Sequence, residues 1–271
     1  GLRASKSSVT RGRPPVMSPP DLPTARGILI RISPVLMRAL SLTTMWAETG
    51  RLYCLTSSPS LFWILMTGFL VLSFDSMTTF SGYAEMLKHG LISNTAHWAE
   101  LLNFNTSDID YTALKQLVGR SVQVKEDIVE QDPFEHGIRK ALNLGHTVGH
   151  AFESMALAEN RPVLHGYAVA WGIVCELYLS HLKVDFPKEK MRQTIQFIKD
   201  NYGVFTFDCK KYEQLYAFMT HDKKNTSGTI NFTLLKDIGD IRINQIADKD
   251  TIFEMLDDSK YIFEHGSINE K

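Results

Sequence analysis

The segment from Glu135 to Glu153, EHGIRKALNLGHTVGHAFE, has the residue types and the spacing of a chemical site. If it forms a loop that runs into a helix, then Asn143, His146, Thr147 and His150 share one helical face. Two imidazoles and an amide on one face are not typical of a core. Gly145 and Gly149 are poor helix formers that favour close approach of another backbone or a ligand. The segment therefore predicts a functional site.

Two histidines of this segment, His146 and His150, have the i, i+4 spacing of zinc ligands on one helix. Such a pair is also common as a hydrogen-bonded surface feature, so the spacing leaves both readings open. Glu85 and His165 can add an oxygen and a nitrogen, and three protein ligands are typical of a catalytic zinc. Singly, Glu85 is equally consistent with a surface ion pair to Lys88, and His165 with a helix N-cap.

The chain from about Ser81 onwards resembles the 3-dehydroquinate synthase family in four motifs that occur in the family's order. They are GYAEMLKHGLI, KEDIVEQDPFEHGIRKALNLGHTVGHAFE, HGYAVAWG and HDKKN. The resemblance implies that Glu85, His146 and His165 hold one divalent metal ion, zinc or cobalt. It also implies that His150 is a substrate contact near the phosphate and not a metal ligand.

The resemblance implies further residues that contact a sugar phosphate carrying a carboxylate. The expected set is Lys88, Lys125, Arg139, Asn143, His150 and one of Lys223 and Lys224. Of these, Lys125 and Arg139 match positions near the carboxylate, and His150 and Lys88 match catalytic positions. Cations at both ends of such a substrate are expected on electrostatic grounds.

The activity that the resemblance implies is 3-dehydroquinate synthase, which serves the shikimate pathway and aromatic amino acid biosynthesis. It converts 3-deoxy-D-arabino-heptulosonate 7-phosphate to 3-dehydroquinate and phosphate, and NAD is reduced and regenerated within each turnover. A homodimer is implied as well. The alternatives are another sugar-phosphate cyclase, a metal-dependent polyol dehydrogenase that releases NADH, and a non-catalytic helical remnant. Lys125 and Arg139, which suit a carboxylate, favour the synthase over other cyclases.

The composition sets the outer limits of these expectations. The 271 residues are 44% hydrophobic, enough for one large or two modest domains, and the net charge is −1. Near-neutral charge gives no electrostatic footprint for nucleic acid or an anionic membrane surface. Three cysteines, Cys54, Cys175 and Cys209, lack CxxC spacing and are odd in number. A disulfide framework is therefore not expected, and a cytoplasmic location is.

Residues 1–80 differ from the rest of the chain. The first 27 are basic and rich in Ser, Pro and Arg, which predicts disorder. The apolar run from Ser60 to Phe74 is shorter than the roughly 18 residues that span a bilayer, so it predicts a buried element, with a membrane anchor as the alternative. The resemblance implies an α/β NAD-binding domain with glycine-rich loops in this region. No such loop is recognisable.

We therefore hypothesise that residues 1–80 are an out-of-frame translation of that domain. Consider the reading frame that starts at the third base of each codon. In that frame, the codons of residues 62–67 necessarily encode two aspartates, and the codons of residues 68–73 can encode Phe-Leu-Ser-Thr-Leu. These resemble a family phrase that precedes Gly-x-Ala-Glu, and residues 35–39 permit a second one, Val-Asp-Ala-Ser. The expected Gly-Gly-Lys-Thr is not recovered. One uninterrupted reading frame through the codon for Ser81 would disprove the hypothesis.

Residues 81–271 predict a mainly α domain with a small β-hairpin. Ser81 is a plausible N-cap, and Asp132 before proline ends the helix that follows Asp110. Gly203 suits the end of the helix that starts at Pro187. The segment after His165, GYAVAWGIVCELYLSHLKV, is apolar nearly all round and predicts a helix buried in the middle of a bundle. Alternation around a turn at residues 237–240 predicts the hairpin, and a final helix follows it.

Overall fold

The computed structural model describes residues 45–48, 51–54, 76–220 and 229–265. The chain divides into two units, 1–55 and 56–271. In the first unit, β1 (Met45–Glu48) and β2 (Arg51–Cys54) pair as an antiparallel hairpin. The disorder predicted for the first 27 residues and the apolar run 60–74 lie outside the described residues.

The second unit is mainly helical with one β-hairpin, so the predicted fold class is confirmed. Its helices are α1 (Ser76–Ser93), α2 (Thr95–Asn103), α3 (Tyr111–Gln131), α4 (His146–Ala158), α5 (His165–Val184), α6 (Lys188–Tyr202), α7 (Tyr212–Thr220) and α8 (Lys249–His265). Short 3-10 helices occupy Ile138–Asn143 and Cys209–Lys211. The strands β3 (Asn231–Asp237) and β4 (Asp240–Ile246) form the antiparallel hairpin.

The centre of this unit is α5, as its all-round apolar sequence predicts. Every residue from Ala168 to Ser180 is buried, and α1, α4, α6, α8 and β3 pack around the helix. The core also includes side chains of α2 and α3, such as Trp98 and Leu114. No helix in the described ranges combines the length and the apolar character that a membrane span requires.

The backbones of α4 and α5 cross at three glycines. A Cβ on Gly172 would lie 2.0 Å from the carbonyl oxygen of Gly145 and 2.7 Å from the amide nitrogen of Gly149. Gly145 has a φ of +79°, a left-handed conformation that residues with a side chain rarely adopt. The close approach predicted at Gly145 and Gly149 is therefore confirmed, and the backbone of α5 is what comes close.

The helix ends that were marked by a signal in the sequence lie where predicted, with one error. The side chain of Asp110 caps α3, which ends at Asp132, and Gly203 ends α6. Ser81 is not an N-cap of the first helix, because α1 begins five residues earlier at Ser76. Its hydroxyl instead accepts a hydrogen bond from the backbone N–H of Gly166 at 3.0 Å, in the first turn of α5.

Candidate metal and substrate site

A cavity of about 320 Å³ lies where α1, α3, the 3-10 helix before α4 and the first residues of α4 and α5 meet. This volume falls in the usual range for small-molecule sites. Its walls include seven of the residues predicted from the sequence: Glu85, Lys88, Lys125, Arg139, Asn143, His146 and His165. Lys223 and Lys224 lie outside the described residues.

The three residues predicted as metal ligands converge on one another from three different helices. The Oε1 atom of Glu85 lies 3.5 Å from Nε2 of His146 and 3.8 Å from Nε2 of His165. Two ligands about 2.1 Å from a tetrahedral metal ion are about 3.4 Å apart, so these separations suit a shared ion. Within the described part of the chain, Oε1 of Glu85 is buried without a hydrogen-bond partner. The donor set therefore fits a divalent cation.

Both imidazoles use their other ring nitrogen in a way that directs Nε2 toward Glu85. Nδ1 of His146 lies 3.2 Å from the carbonyl oxygen of Leu144, and Nδ1 of His165 lies 3.2 Å from both oxygens of Glu153. A carbonyl or carboxylate only accepts hydrogen bonds, so Nδ1 carries the hydrogen in each ring. In the neutral rings, the Nε2 lone pairs then face the carboxylate of Glu85, which a cation between them would stabilise.

Glu85 forms a buried ion pair with Lys88, not the surface pair that the sequence left open. The Nζ atom of Lys88 donates to Oε2 of Glu85 at 2.7 Å, and the lysine side chain is only 2% exposed. Burial alone would raise the pKa of Glu85, but the charge of Lys88, the nearby His146 and His89 and the hydrogen bond from Lys88 together outweigh it and hold the pKa well below its usual value. The carboxylate therefore stays ionised, and Oε1 remains available to a metal ion.

His150 lies close enough to provide an alternative ligand set. Nitrogen atoms of His146, His150 and His165 all lie within 4.8 Å of one another. The two sets share His146 and His165, so they differ in whether Glu85 or His150 completes the site. His165 itself begins α5 directly after the N-cap Leu164, so it is not the cap that its position also allowed.

Glu153 and His165 are only partly buried, and their contact changes the pKa of His165. Their side chains are 31% and 46% exposed. Desolvation alone would lower the pKa of His165, but the hydrogen bond and charge of Glu153 outweigh it and raise the pKa above its usual value. A metal ion at this site therefore competes with a proton for His165.

The lining of the cavity also includes Lys125, Arg139 and Asn143, which are predicted substrate contacts and which we call the cationic wall. Burial lowers the pKa of Lys125 to about 8, and the positive charges of Lys88 and Arg139 add to the effect. The guanidinium of Arg139 donates to the backbone carbonyl of Pro133 at 2.6 Å. The amide of Asn143 donates to Oε1 of Glu135 at 2.9 Å, so these two side chains hydrogen-bond to the loop that carries them.

Asp132 anchors this loop, a role beyond the helix end that the sequence predicted. Its Oδ1 accepts from the backbone N–H of His136, and its Oδ2 accepts from those of Gly137 and Arg139, at 2.7 to 3.1 Å. Desolvation works to raise the pKa of Asp132, but these backbone hydrogen bonds outweigh it and lower the pKa. The carboxylate fixes the path of the chain from α3 to Arg139.

Glu176, in the middle of α5, anchors the start of α4. Its side chain is fully buried, and its carboxylate accepts from the backbone N–H groups of Gly145 at 2.6 Å and Val148 at 3.2 Å. Two of the unpaired amides at the start of α4 are thereby satisfied next to His146. A lone carboxylate in an otherwise apolar helix is a signal for such a role, and our sequence reasoning missed it.

One other sequence inference needs revision, and one residue near the site was missed. Thr147 does not face the cavity with its neighbours, because it is buried and its hydroxyl donates to the carbonyl of Asn231 in β3 at 3.2 Å. Glu153 was not predicted as a site residue. It follows His146 by seven positions, so the helical spacing used for the histidines would have placed it on the same face.

Comparison with known proteins assigns a family to this part of the chain. Residues 82–225 match the family model described as 3-dehydroquinate synthase C-terminal. A 3-dehydroquinate synthase of Parabacteroides distasonis is 57% identical over 183 residues, which are 68% of this chain and 52% of the relative. The Leptospira interrogans enzyme of the same name is 41% identical over 170 residues, 60% of this chain and 46% of the relative. The chain spans about half the length of these curated relatives.

Solved structures share the fold at low sequence identity. A 2-epi-5-epi-valiolone synthase from Streptomyces hygroscopicus, with NAD⁺ and Zn²⁺ bound, superposes with a TM-score of 0.60 at 19% identity, covering 72% of this chain and 54% of the other. A 2-deoxy-scyllo-inosose synthase complexed with carbaglucose-6-phosphate, NAD⁺ and Co²⁺ gives 0.58 at 19% identity with the same coverage.

Proposed function

We propose a function for this chain from the premise that it belongs to the 3-dehydroquinate synthase C-terminal family. Its helical unit is the metal- and substrate-binding part of a 3-dehydroquinate synthase. The reaction is the conversion of 3-deoxy-D-arabino-heptulosonate 7-phosphate to 3-dehydroquinate and phosphate. The observation that carries the proposal is the convergence of Glu85, His146 and His165 on Oε1 of Glu85, a buried oxygen that has no hydrogen-bond partner among the described residues.

The proposed metal ligands are Glu85, His146 and His165, and the ion is zinc or cobalt. A bound divalent ion would polarise and acidify adjacent substrate hydroxyls. We prefer Glu85 to His150 as the third ligand because its Oε1 is buried without a hydrogen-bond partner among the described residues. Unpaired buried oxygens are costly unless a cation or a donor meets them.

The cationic wall supports a substrate with two anionic ends. In our proposal, Arg139 and Lys125 hold the carboxylate, while His150, Asn143 and Lys88 contact the phosphate or hydroxyls. Two of these residues already have partners: Arg139 donates to the carbonyl of Pro133, and Asn143 donates to Glu135. Lys88 keeps Glu85 ionised, so it prepares the ligand as well as the binding pocket.

NAD enters the proposal through the related enzymes and not through residues identified in this chain. The strands of the described residues form two antiparallel hairpins, and these contain no parallel strand–helix–strand unit of the kind that binds dinucleotides. We therefore assign no residue and no step to NAD.

Cobalt absorption tests the metal site directly. Titration of the chain with Co²⁺ is expected to give the visible bands of a four- or five-coordinate ion, because the ion would have three protein ligands. Glu85→Ala, His146→Ala and His165→Ala each lower the affinity at least tenfold, while His150→Ala leaves it within about threefold. If His150→Ala abolishes binding and Glu85→Ala does not, the proposed ligand set is wrong.

Phosphate release from the heptulosonate phosphate, with zinc and NAD added, tests the activity. We expect none from the chain as printed. Replacing residues 1–80 with the corresponding first part of the Parabacteroides distasonis relative is expected to give phosphate release without steady-state accumulation of NADH. Accumulated NADH would instead indicate a polyol dehydrogenase. Full activity of the chain as printed would refute the hypothesis that residues 1–80 are out of frame.

A further inference from the structure

The contact between Glu153 and His165 links two helices at the edge of the cavity. Glu153 lies two turns along α4 from His146, and His165 is the first residue of α5. Both carboxylate oxygens of Glu153 lie 3.2 Å from Nδ1 of His165. On its other side, the same imidazole presents Nε2 to Glu85 at 3.8 Å.

We propose that Glu153 is a positioning residue that fixes the tautomer and the ring orientation of His165 for metal binding. The inference rests on the proposed function, because it takes His165 as a ligand. The carboxylate has no hydrogen to give, so it requires the hydrogen of the neutral imidazole to be on Nδ1. Nε2 then carries the lone pair, on the side of the ring that faces Glu85. Glu153 does not bind the metal itself in this arrangement.

His165 depends on such a partner more than His146 does. His146 is 13% exposed, and the backbone carbonyl of Leu144 receives its Nδ1 hydrogen. A backbone carbonyl in the packed crossing of α4 and α5 is present in any variant. His165 is 46% exposed at the end of a helix, where the side chain has room for other rotamers. A carboxylate from the neighbouring helix restricts both the rotamer and the tautomer.

The alternative is that the contact is an ordinary surface ion pair. Such a pair adds about 0–1 kcal/mol to stability and has no bearing on metal affinity. The two roles therefore differ in what changes when Glu153 is removed: metal affinity and tautomer in our proposal, and only a small part of the stability in the alternative.

The experiment compares metal dissociation constants of the full chain and its variants, measured by Co²⁺ absorption and by Zn²⁺ competition. Glu153→Ala is expected to weaken binding by about 10- to 100-fold, the usual effect of removing a partner of a metal-bound histidine. Glu153→Gln weakens it less, because the amide oxygen still accepts from Nδ1. The control is Glu213→Ala, which removes the carboxylate of an exposed ion pair with Lys249 and leaves the affinity unchanged.

A second readout is independent of any metal. Long-range ¹H–¹⁵N NMR spectra of the metal-free chain at pH 8.5 report which ring nitrogen of His165 carries the hydrogen. The parent is expected to hold it on Nδ1, and Glu153→Ala shifts it toward Nε2. Should Glu153→Ala fold poorly, Glu153→Met provides the same comparison, because it keeps most of the side-chain volume and lacks the oxygen that accepts from Nδ1.

The results distinguish a failure of the role of Glu153 from a failure of the proposed function. If the parent binds metal, His165→Ala abolishes binding and Glu153→Ala binds like the parent, the role of Glu153 is overturned and the metal site stands. If His165→Ala binds metal like the parent, the proposed ligand set fails. In that case a parent-like tautomer in Glu153→Ala would also overturn the orienting role.

Discussion

The two walls of the cavity are built in different ways. The metal wall consists of the proposed ligands Glu85, His146 and His165. Each of them contacts a group outside this set, respectively Lys88, Leu144 and Glu153. On the cationic wall, Arg139 and Asn143 hydrogen-bond to groups of their own loop. The first wall presents Oε1 of Glu85, which has no hydrogen-bond partner among the described residues, and the second presents side chains that already have hydrogen-bond partners.

This difference indicates how the site works. The proposed metal ion would bind with little rearrangement, because the proposed ligands already converge and Glu176 fixes the start of α4 from within the core. Preorganised ligands of this kind avoid the cost of ordering side chains on binding. In the proposed function, by contrast, the substrate meets Arg139 and Asn143, which already have hydrogen-bond partners, so the loop anchored by Asp132 is where binding is expected to cause movement.

The largest expected effect comes from breaking the crossing that supports the metal wall. Gly172→Ala places a methyl group 2.0 Å from the carbonyl oxygen of Gly145, so α4 and α5 must separate. We expect a loss of about 3 kcal/mol or more in the free energy of unfolding, at the upper end of overpacking effects. Urea denaturation followed by circular dichroism measures it.

Gly119→Ala is the control for that substitution. Gly119 lies within α3, and a Cβ there would meet nothing within 4 Å. Alanine is the better helix former, so the variant is expected to gain up to about 1 kcal/mol. Similar stability of the two variants would show that the helix crossing is not tight.

Glu176→Gln tests whether the core fixes the metal wall. The amide can accept from only one of the two N–H groups and turns its own donors toward the other. We expect a loss of about 1.5–3 kcal/mol in unfolding free energy, typical of a hydrogen bond to a charged group. Weaker Co²⁺ binding by the folded variant is expected as well. Unchanged cobalt affinity would mean that Glu176 stabilises the fold without positioning His146.

The cationic wall is expected to respond to pH through Lys125. Its pKa of about 8 means that the ammonium is charged below pH 8 and loses its charge above. The substrate phosphate is already dianionic in this range. We therefore expect the affinity for the heptulosonate phosphate to fall up to tenfold between pH 7 and pH 9, measured by calorimetry. Lys125→Met should bind more weakly at pH 7 and show little change with pH; a parent-like pH profile would exclude Lys125.

Arg139→Lys should have the smallest effect, since it preserves the charge but not the planar guanidinium. A lysine cannot make two parallel hydrogen bonds to a carboxylate. We expect a loss of a few-fold in substrate affinity and no change in cobalt affinity. A change in cobalt affinity would show that the two walls are not independent.

Much of the fold could be predicted from the sequence, because local signals agree with the tertiary structure. The all-round apolar segment after His165 identified the central helix, and Asp110, Asp132 and Gly203 marked helix ends correctly. Ser81 failed as a signal. Serine caps a helix only where the preceding residues are not helical, and here its hydroxyl meets a different helix, at Gly166.

The candidate ligands could be named from the sequence, but the residues that hold them in place could not. Glu85, His146 and His165 were named from the resemblance, and the structure brings them together. From the residues alone, the spacing of His146 and His150 suggested these two histidines as a pair of metal ligands just as well. Spacing within one helix says nothing about side chains from other helices. For the same reason the contacts of Glu153 and Glu176 were missed, since each joins two helices.

Anomalous X-ray diffraction at the zinc edge, from crystals of the chain grown with Zn²⁺, is the most direct measurement. We expect one strong peak about 2.0–2.2 Å from Oε1 of Glu85 and from Nε2 of His146 and His165. A peak coordinated by His146, His150 and His165 with Glu85 turned away, or no peak among these side chains, would contradict this expectation.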